Sequence, residues 1–218
     1  MHTLSLAYQH THTHTHKHTQ VVIKPSNLTK LRVVIVVDLS QPGDVIPLLE
    51  KWLKLIRQNV SAAVTTMEKD KKLQKAAKRL HKQAKVKWVE NPDMENIDIS
   101  PVPLLVMCTK LDVLSEQSTV KRKSVLNAIR YLCLCNGAAL VTTDHKTKIQ
   151  LQYVRSFLNH LGFAVELKGK PHLDPAQCLF IPAGADSFKI LGGHAGGVRW
   201  SVGGACGWCR VECPRICR

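Results

Sequence analysis

Four consecutive residues carry the sharpest chemistry in this chain: Thr109-Lys110-Leu111-Asp112. They follow Leu104-Leu105-Val106-Met107-Cys108, an apolar run of the length of a buried strand. The carboxylate of Asp112 has two acceptor oxygens, enough to take both N–H bonds that the edge of a guanine offers. The stem of Lys110 can cover the face of the base. The place suits a ligand, because open α/β sheets bind outside the carboxyl ends of their parallel strands. Ala138-Ala139-Leu140-Val141-Thr142-Thr143 could supply a second base-contacting loop.

In GTPases a tetrapeptide of the form Asn/Thr-Lys-x-Asp holds this position. Base recognition is not nucleotide binding, however. Most affinity in such proteins comes from phosphates cradled by a Gly-x-x-x-x-Gly-Lys-Ser/Thr loop and from magnesium. The chain contains no such loop. Gly162 and Gly169-Lys170 are wrongly spaced, and Pro171 stands where a hydroxyl is needed. There is no Asp-x-x-Gly segment to sense a γ-phosphate. With no phosphate cradle and no ordered catalytic water, hydrolysis has no machinery, so no catalytic residue, enzymatic activity or cofactor is expected. Asp38 ends an earlier apolar run and could be taken for a magnesium-linked acid. With no phosphates beside it, it reads as a loop-entry aspartate.

The second constellation is Cys206, Cys209, Cys213 and Cys217. Four thiolates can hold zinc tetrahedrally. Zinc ribbons, however, set two close cysteine pairs across a longer loop, and this segment has no strand pattern around it. A metal-free tail is expected. The remaining cysteines, Cys108, Cys133, Cys135 and Cys178, sit in apolar patterns and read as reduced, buried small hydrophobes.

The elements that must position these residues alternate. Val33-Val34-Ile35-Val36-Val37 is a β-branched run suited to a strand covered on both faces. Asp44 is a candidate N-cap with Pro47 in the first turn, and Val45, Leu48, Leu49, Trp52, Leu53, Ile56 and Val60 recur at helical spacing. A separate surface helix is expected over 62–89, followed by a proline-punctuated acidic linker over 91–103. After the Leu104 strand, a helix over 119–135 carries Val120, Leu126, Ile129, Leu132 and Cys133 on one side. Ala138–Val141 is a strand. A core-facing helix over 147–161 carries Ile149, Val154, Phe157, Leu158 and Leu161, with Gly162 as its stop. Strands alternating with helices predict an α/β fold with a parallel sheet and right-handed crossovers.

The 218 residues carry a formal net charge of +15, much of it between Lys69 and Lys87. A basic nucleic-acid-binding module is one reading of that stretch, weakened by the scarcity of aromatic side chains for stacking. No apolar run is long enough to span a membrane, and the opening residues lack a signal-peptide core. Alternating His and Thr over 10–18 are what a CA dinucleotide repeat encodes. The expected organisation is a disordered tail over 1–28, a folded domain over 29–193 and an irregular Gly/Cys-rich tail over 194–218.

Several stretches resemble the light intermediate chains of cytoplasmic dynein, most of all the ciliary type of retrograde intraflagellar transport. They are Val34-Ile35-Val36-Val37-Asp38-Leu39-Ser40-Gln41-Pro42 with Asp44, and the run from Pro103 to Asp112. Lys121-Arg122-Lys123, Tyr131, Gly137-Ala138-Ala139-Leu140 and Phe180-Ile181-Pro182-Ala183-Gly184-Ala185-Asp186-Ser187-Phe188 also match. The last is the most specific, since no general GTPase requires it. The resemblance implies a partial GTPase-like, P-loop NTPase-type sheet with flanking helices, lacking the N-terminal phosphate-binding half and beginning at the fourth strand. It implies a non-catalytic subunit that binds the dynein heavy chain and other dynein subunits, and meets microtubules only through the motor. Its place would be the cytoplasm and cytoskeleton, and the cilium with its axoneme and basal body. Thr109, Lys110 and Asp112 would then be a vestigial guanine loop. The competing reading is a degenerate GTP- or GDP-binding protein whose phosphate site comes from a partner.

Overall fold

The structure, a computed structural model, describes residues 22–144, 147–167 and 169–192, with the backbone alone of 2–6. Five strands form one sheet in the order β1 (His2–Leu6), β2 (Leu31–Asp38), β3 (Leu104–Thr109), β4 (Ala139–Thr142) and β5 (Phe180–Ile181). The first four run parallel, and β5 is antiparallel to β4. The register pairs Asp38 with Thr109 and Cys108 with Thr142. The carboxyl ends of three strands therefore meet at the Thr109 tetrapeptide.

The α/β class and parallel sheet stand as expected, but several boundaries move. Among the described residues five α-helices accompany the sheet: α1 (Pro42–Lys69), α2 (Gln74–Val86), α3 (Leu111–Ser115), α4 (Thr119–Cys135) and α5 (Lys148–Phe163). The helix of Val45–Val60 does not end near residue 60. Ala63, Val64 and Met67 continue its buried stripe, so α1 runs to Lys69. The break comes at Asp70, whose Oδ1 accepts the Lys72 N–H in a turn. At the other end Pro42 opens α1 and Gln41 is the capping residue. Asp44 lies in the first turn, and Pro47 falls in the second.

One face of the sheet is β-branched and thickly covered. Val33, Ile35, Val37, Leu104, Val106 and Cys108 pack there with Leu49, Leu53 and Ile56 of α1 and Leu126 and Ile129 of α4. Each such side chain contributes about 1.5–3 kcal/mol by leaving water. The opposite face holds Val34, Leu105, Val141 and Phe180 beneath Phe157 of α5. Phe157 and Gln150 are the buried residues of α5, and Ile149 and Leu158, expected in the core, are exposed. Val120 of α4 is likewise exposed, because it sits in the first turn beyond the reach of the sheet. Gly162 does not stop α5. The helix runs through it to a left-handed Ala164. Of the cysteines, Cys108 and Cys133 are buried, while Cys135 and Cys178 are half-buried; all four are free thiols.

The folded unit also starts earlier than residue 29. Ile23 and Leu28 are buried in the main core, and His2–Leu6 pairs along β2 from Leu31 to Ile35. An unpaired β2 edge would leave backbone donors and acceptors open, and β1 satisfies them. The His/Thr tract over 10–18, and the 194–218 tail with Cys206, Cys209, Cys213 and Cys217, lie outside the described residues. Among those described, no helix is long and apolar enough to cross a membrane.

Candidate functional site

The Thr109 tetrapeptide sits where β3 gives way to the short helix α3. Its polar groups are engaged by the protein itself. The Thr109 hydroxyl donates to the Val37 carbonyl at 3.2 Å, and the Thr109 carbonyl accepts the Leu39 N–H at 3.1 Å. Lys110 has a left-handed backbone, φ 59°, unusual for a residue with a Cβ. Its Nζ lies 2.6 Å from Asp38 Oδ2. The Leu111 N–H donates to the Thr143 carbonyl at 3.2 Å, tying the segment to the end of β4. Asp112 lies in the first turn of α3, half-buried, with its Oδ1 shielded from solvent.

Asp38 answers to Lys110. Burial would push its carboxyl up, but hydrogen bonds from Lys110 and from Ser40, with the lysine charge, outweigh that and hold it below the usual range. The Ser40 N–H lies 2.8 Å from Asp38 Oδ1. Asp38 is therefore a loop-entry carboxylate closing on the strand beside it.

The segment after β4 is also turned inward. The Thr143 N–H reaches the Cys108 carbonyl at 2.8 Å. Asp144 accepts the Thr147 N–H at 2.7 Å and the Thr147 hydroxyl at 3.1 Å, just ahead of α5. Gln150 Oε1 in turn accepts the Asp144 N–H at 2.7 Å. The structure thus gathers Asp38, Thr109, Lys110, Asp112 and Thr143 at one end of the sheet. None of these contacts sets a nucleophile against a base. Among the described residues, no group of three His, Cys, Asp or Glu is arranged to hold a metal.

A second polar centre lies elsewhere and was missed as a unit by sequence reasoning. Arg130 of α4 forks onto Asp186, Nε to Oδ2 at 2.9 Å and Nη2 to Oδ1 at 2.8 Å. The two side chains are only 4% and 6% exposed, against 53% and 37% for Lys110 and Asp38. Asn91 Nδ2 donates to the carbonyls of Gly184 and Asp186 at 2.9 and 2.6 Å. Asp93 Oδ2 accepts the Phe188 N–H at 2.7 Å. The stretch 91–103 is therefore no free linker: Asn91 and Asp93 are buried and fasten the Phe180–Phe188 segment. Gly184 has φ 91°, and a Cβ there would collide with the Lys87 carbonyl oxygen. The small cavity beside the pair, lined by Trp88, Arg130, Cys133 and Pro182 among others, is water-sized. Burial, then the neighbouring Cys108, Asp186 and Cys135, push the Cys133 thiol far up, so it is no nucleophile. The signal available in sequence was Arg130 itself, a charge among the apolar positions of α4.

Comparison with known proteins converges on one family. The family model for the dynein light intermediate chain (DLIC) matches residues 9–102 and 89–193. Cytoplasmic dynein 2 light intermediate chain 1 of Danio rerio is 32% identical over 173 residues, covering 79% of this chain and 48% of the relative. Its Homo sapiens counterpart is 30% identical over 174 residues, covering 78% and 48%. The chain thus spans about half the length of the curated relatives it matches. Among solved structures, the crystal structure of the dynein light intermediate chain's conserved domain superposes with a TM-score of 0.59 at 21% identity. It covers 81% of this chain and 63% of that one. That likeness establishes a GTPase-like α/β fold, and with the family match over most of its length, this chain belongs to the dynein light intermediate chain family.

Proposed function

We propose that the chain serves as a non-catalytic light intermediate chain of the ciliary cytoplasmic dynein motor. In this reading it binds the dynein heavy chain alongside other subunits and supports microtubule-based retrograde intraflagellar transport and cilium assembly. It works in the cytoplasm and cytoskeleton and in the cilium, with its axoneme and basal body. The observation that carries the proposal is the likeness to cytoplasmic dynein 2 light intermediate chains over nearly four-fifths of the chain. The tetrapeptide geometry supports a role without nucleotide turnover. Lys110 is paired to Asp38, Thr109 is bonded to β2, and Asp112 has an oxygen shielded within α3. Thr109, Lys110 and Asp112 are then the vestige of a guanine loop, kept as a corner between strand and helix.

Co-precipitation with the tail of a ciliary dynein heavy chain tests the reading. The complex is expected to form and to survive salt, since apolar contacts lose little to screening. Fluorescent GDP, with magnesium, is expected not to bind appreciably. Failure to capture the tail, together with sub-micromolar magnesium-dependent GDP binding, would replace this reading with that of a nucleotide-binding protein.

A further inference from the structure

Helix α2 has no acidic residue in its thirteen positions, Gln-Lys-Ala-Ala-Lys-Arg-Leu-His-Lys-Gln-Ala-Lys-Val. Its buried residues are Ala77 and Leu80, and α2 packs along α1. On the outer side, Lys75, Lys78, Lys82 and Lys85 follow one another at three- and four-residue steps. Lys71, in the turn before the helix, continues the row, and all five are exposed. None of the five makes an ion pair among the described residues. The acids nearby in sequence are otherwise placed: Glu68 faces His81 at 3.8 Å, and Asp70 Oδ1 accepts the Lys72 N–H.

A merely solvated helix face mixes both signs, because like charges at i,i+4 destabilise the helix that carries them. The exposed side of α1 does mix them, with Asp44, Lys51, Lys54 and Glu68 on one helix. α2 bears the repulsion uncompensated. From Lys75 to Lys85 the stripe runs about 15 Å at 1.5 Å per residue, the reach of about five residues of extended chain at ~3.3 Å each.

We propose that this lysine stripe, with Lys71, Lys75, Lys78, Lys82 and Lys85, docks an acidic polypeptide segment rich in Glu and Asp. Charge complementarity commits the surface to an anion, and the remaining features choose among anions. α2 carries no Phe, Tyr or Trp, and its one ring, the half-buried His81, faces Glu68, so bases find little to stack on. Its apolar side is spent on α1, so it cannot lie in a membrane with that side down. Lysine outnumbers arginine, giving mobile point charges suited to separate carboxylates rather than forks matched to phosphate. The inference stands apart from the dynein reading, which could fail while this one holds.

The test uses the full chain and a fluorescent peptide of about eight glutamates, followed by anisotropy across a salt series. Binding is expected, weakening steeply as salt rises. The triple variant K75E/K78E/K82E is expected to bind at least tenfold more weakly with an unchanged thermal unfolding midpoint. The neutral variant K75Q/K78Q/K82Q is expected to fall between the two. A single-stranded oligonucleotide of equal charge and anionic phosphatidylserine vesicles are the competing probes. No peptide binding, equal binding by the triple variant, or tighter binding of either competing probe through these lysines would overturn the assignment.

Discussion

Two cation–carboxylate pairs of nearly equal length hold opposite parts of this molecule. Lys110 meets Asp38 at 2.6 Å, and Arg130 meets Asp186 at 2.8 Å. The first stands in water at the carboxyl end of the sheet. The second is sealed between α4 and the Phe180–Phe188 segment. Distance alone would rank them alike, but surroundings do not. A solvated lysine pair is screened and contributes about 0–1 kcal/mol. A buried pair has lost the hydration of both ions, so either partner left alone costs far more than the pair supplies. The Thr109 tetrapeptide is thus held loosely, and the Phe180–Phe188 segment is held by a network with few exits to solvent.

Breaking the buried pair should give the largest effect. Arg130→Met leaves Asp186 buried without its fork and should cost about 3–5 kcal/mol of unfolding free energy. The double change Arg130→Met/Asp186→Leu should recover most of that, because no lone charge remains. Urea unfolding of the three proteins measures both values. A single-variant loss below about 1 kcal/mol would mean that the pair is hydrated in solution, as the Lys110–Asp38 pair is.

Gly184→Ala comes next. The new Cβ would meet both a left-handed backbone, φ 91°, and the Lys87 carbonyl oxygen, which is backbone and cannot swing aside. The expected loss is about 2–3 kcal/mol, read from the same urea curves. A substitution this small with so large an effect on unfolding would tie the Gly-Ala-Asp-Ser-Phe motif to folding.

Changes at the solvated end should be smaller. Asp112→Ala is expected to cost about 1 kcal/mol or less. Lys110→Ala should cost a similar amount, losing the ion pair while keeping the backbone strain. Lys110→Gly loses the same ion pair but releases a left-handed residue, about 1–2 kcal/mol of relief. It should therefore be more stable than Lys110→Ala by thermal unfolding. If Ala and Gly prove equal, φ 59° at Lys110 carries no strain.

Much of this contrast was legible in the chain and part was not. The strands were, because Val33–Val37 and Leu104–Cys108 are β-branched and apolar runs of strand length. The end of α1 was not, because Ala62, Ala63 and Val64 fit either the tail of one helix or the head of another. Only their burial in the main core shows that Ala63, Val64 and Met67 extend the first. The strand at His2–Leu6 was illegible because two of its five residues are apolar and its reason for forming is the open edge of β2, far along the chain. The Thr109 tetrapeptide could be located from its neighbours, but its inward bonding could not, since the Thr109 hydroxyl bonds to Val37, 72 residues away along the chain. The Asn91–Asp186 and Asp93–Phe188 contacts cross 95 residues each, so a proline-rich acidic stretch looked like a linker when it is a clasp.

The smallest effect concerns acid. Asp38 is held below its ordinary value of 3.8 in the folded chain. A carboxyl depressed by folding stabilises the fold fully above its unfolded value, and that contribution is lost as pH falls through the folded value. The window therefore lies below 3.8, not near neutrality. Asp38→Asn removes the titration and the charge of the pair together. At pH 7 the variant should be less stable by about 1 kcal/mol or less, as for an exposed pair. As pH falls below 3.8 the gap should narrow, because the protonated wild-type carboxyl no longer answers Lys110 as an anion. Raised salt should narrow it at pH 7 as well, since solvent ions reach a pair this exposed. A gap that is constant with pH would show that the Lys110 charge does not account for the contribution of Asp38.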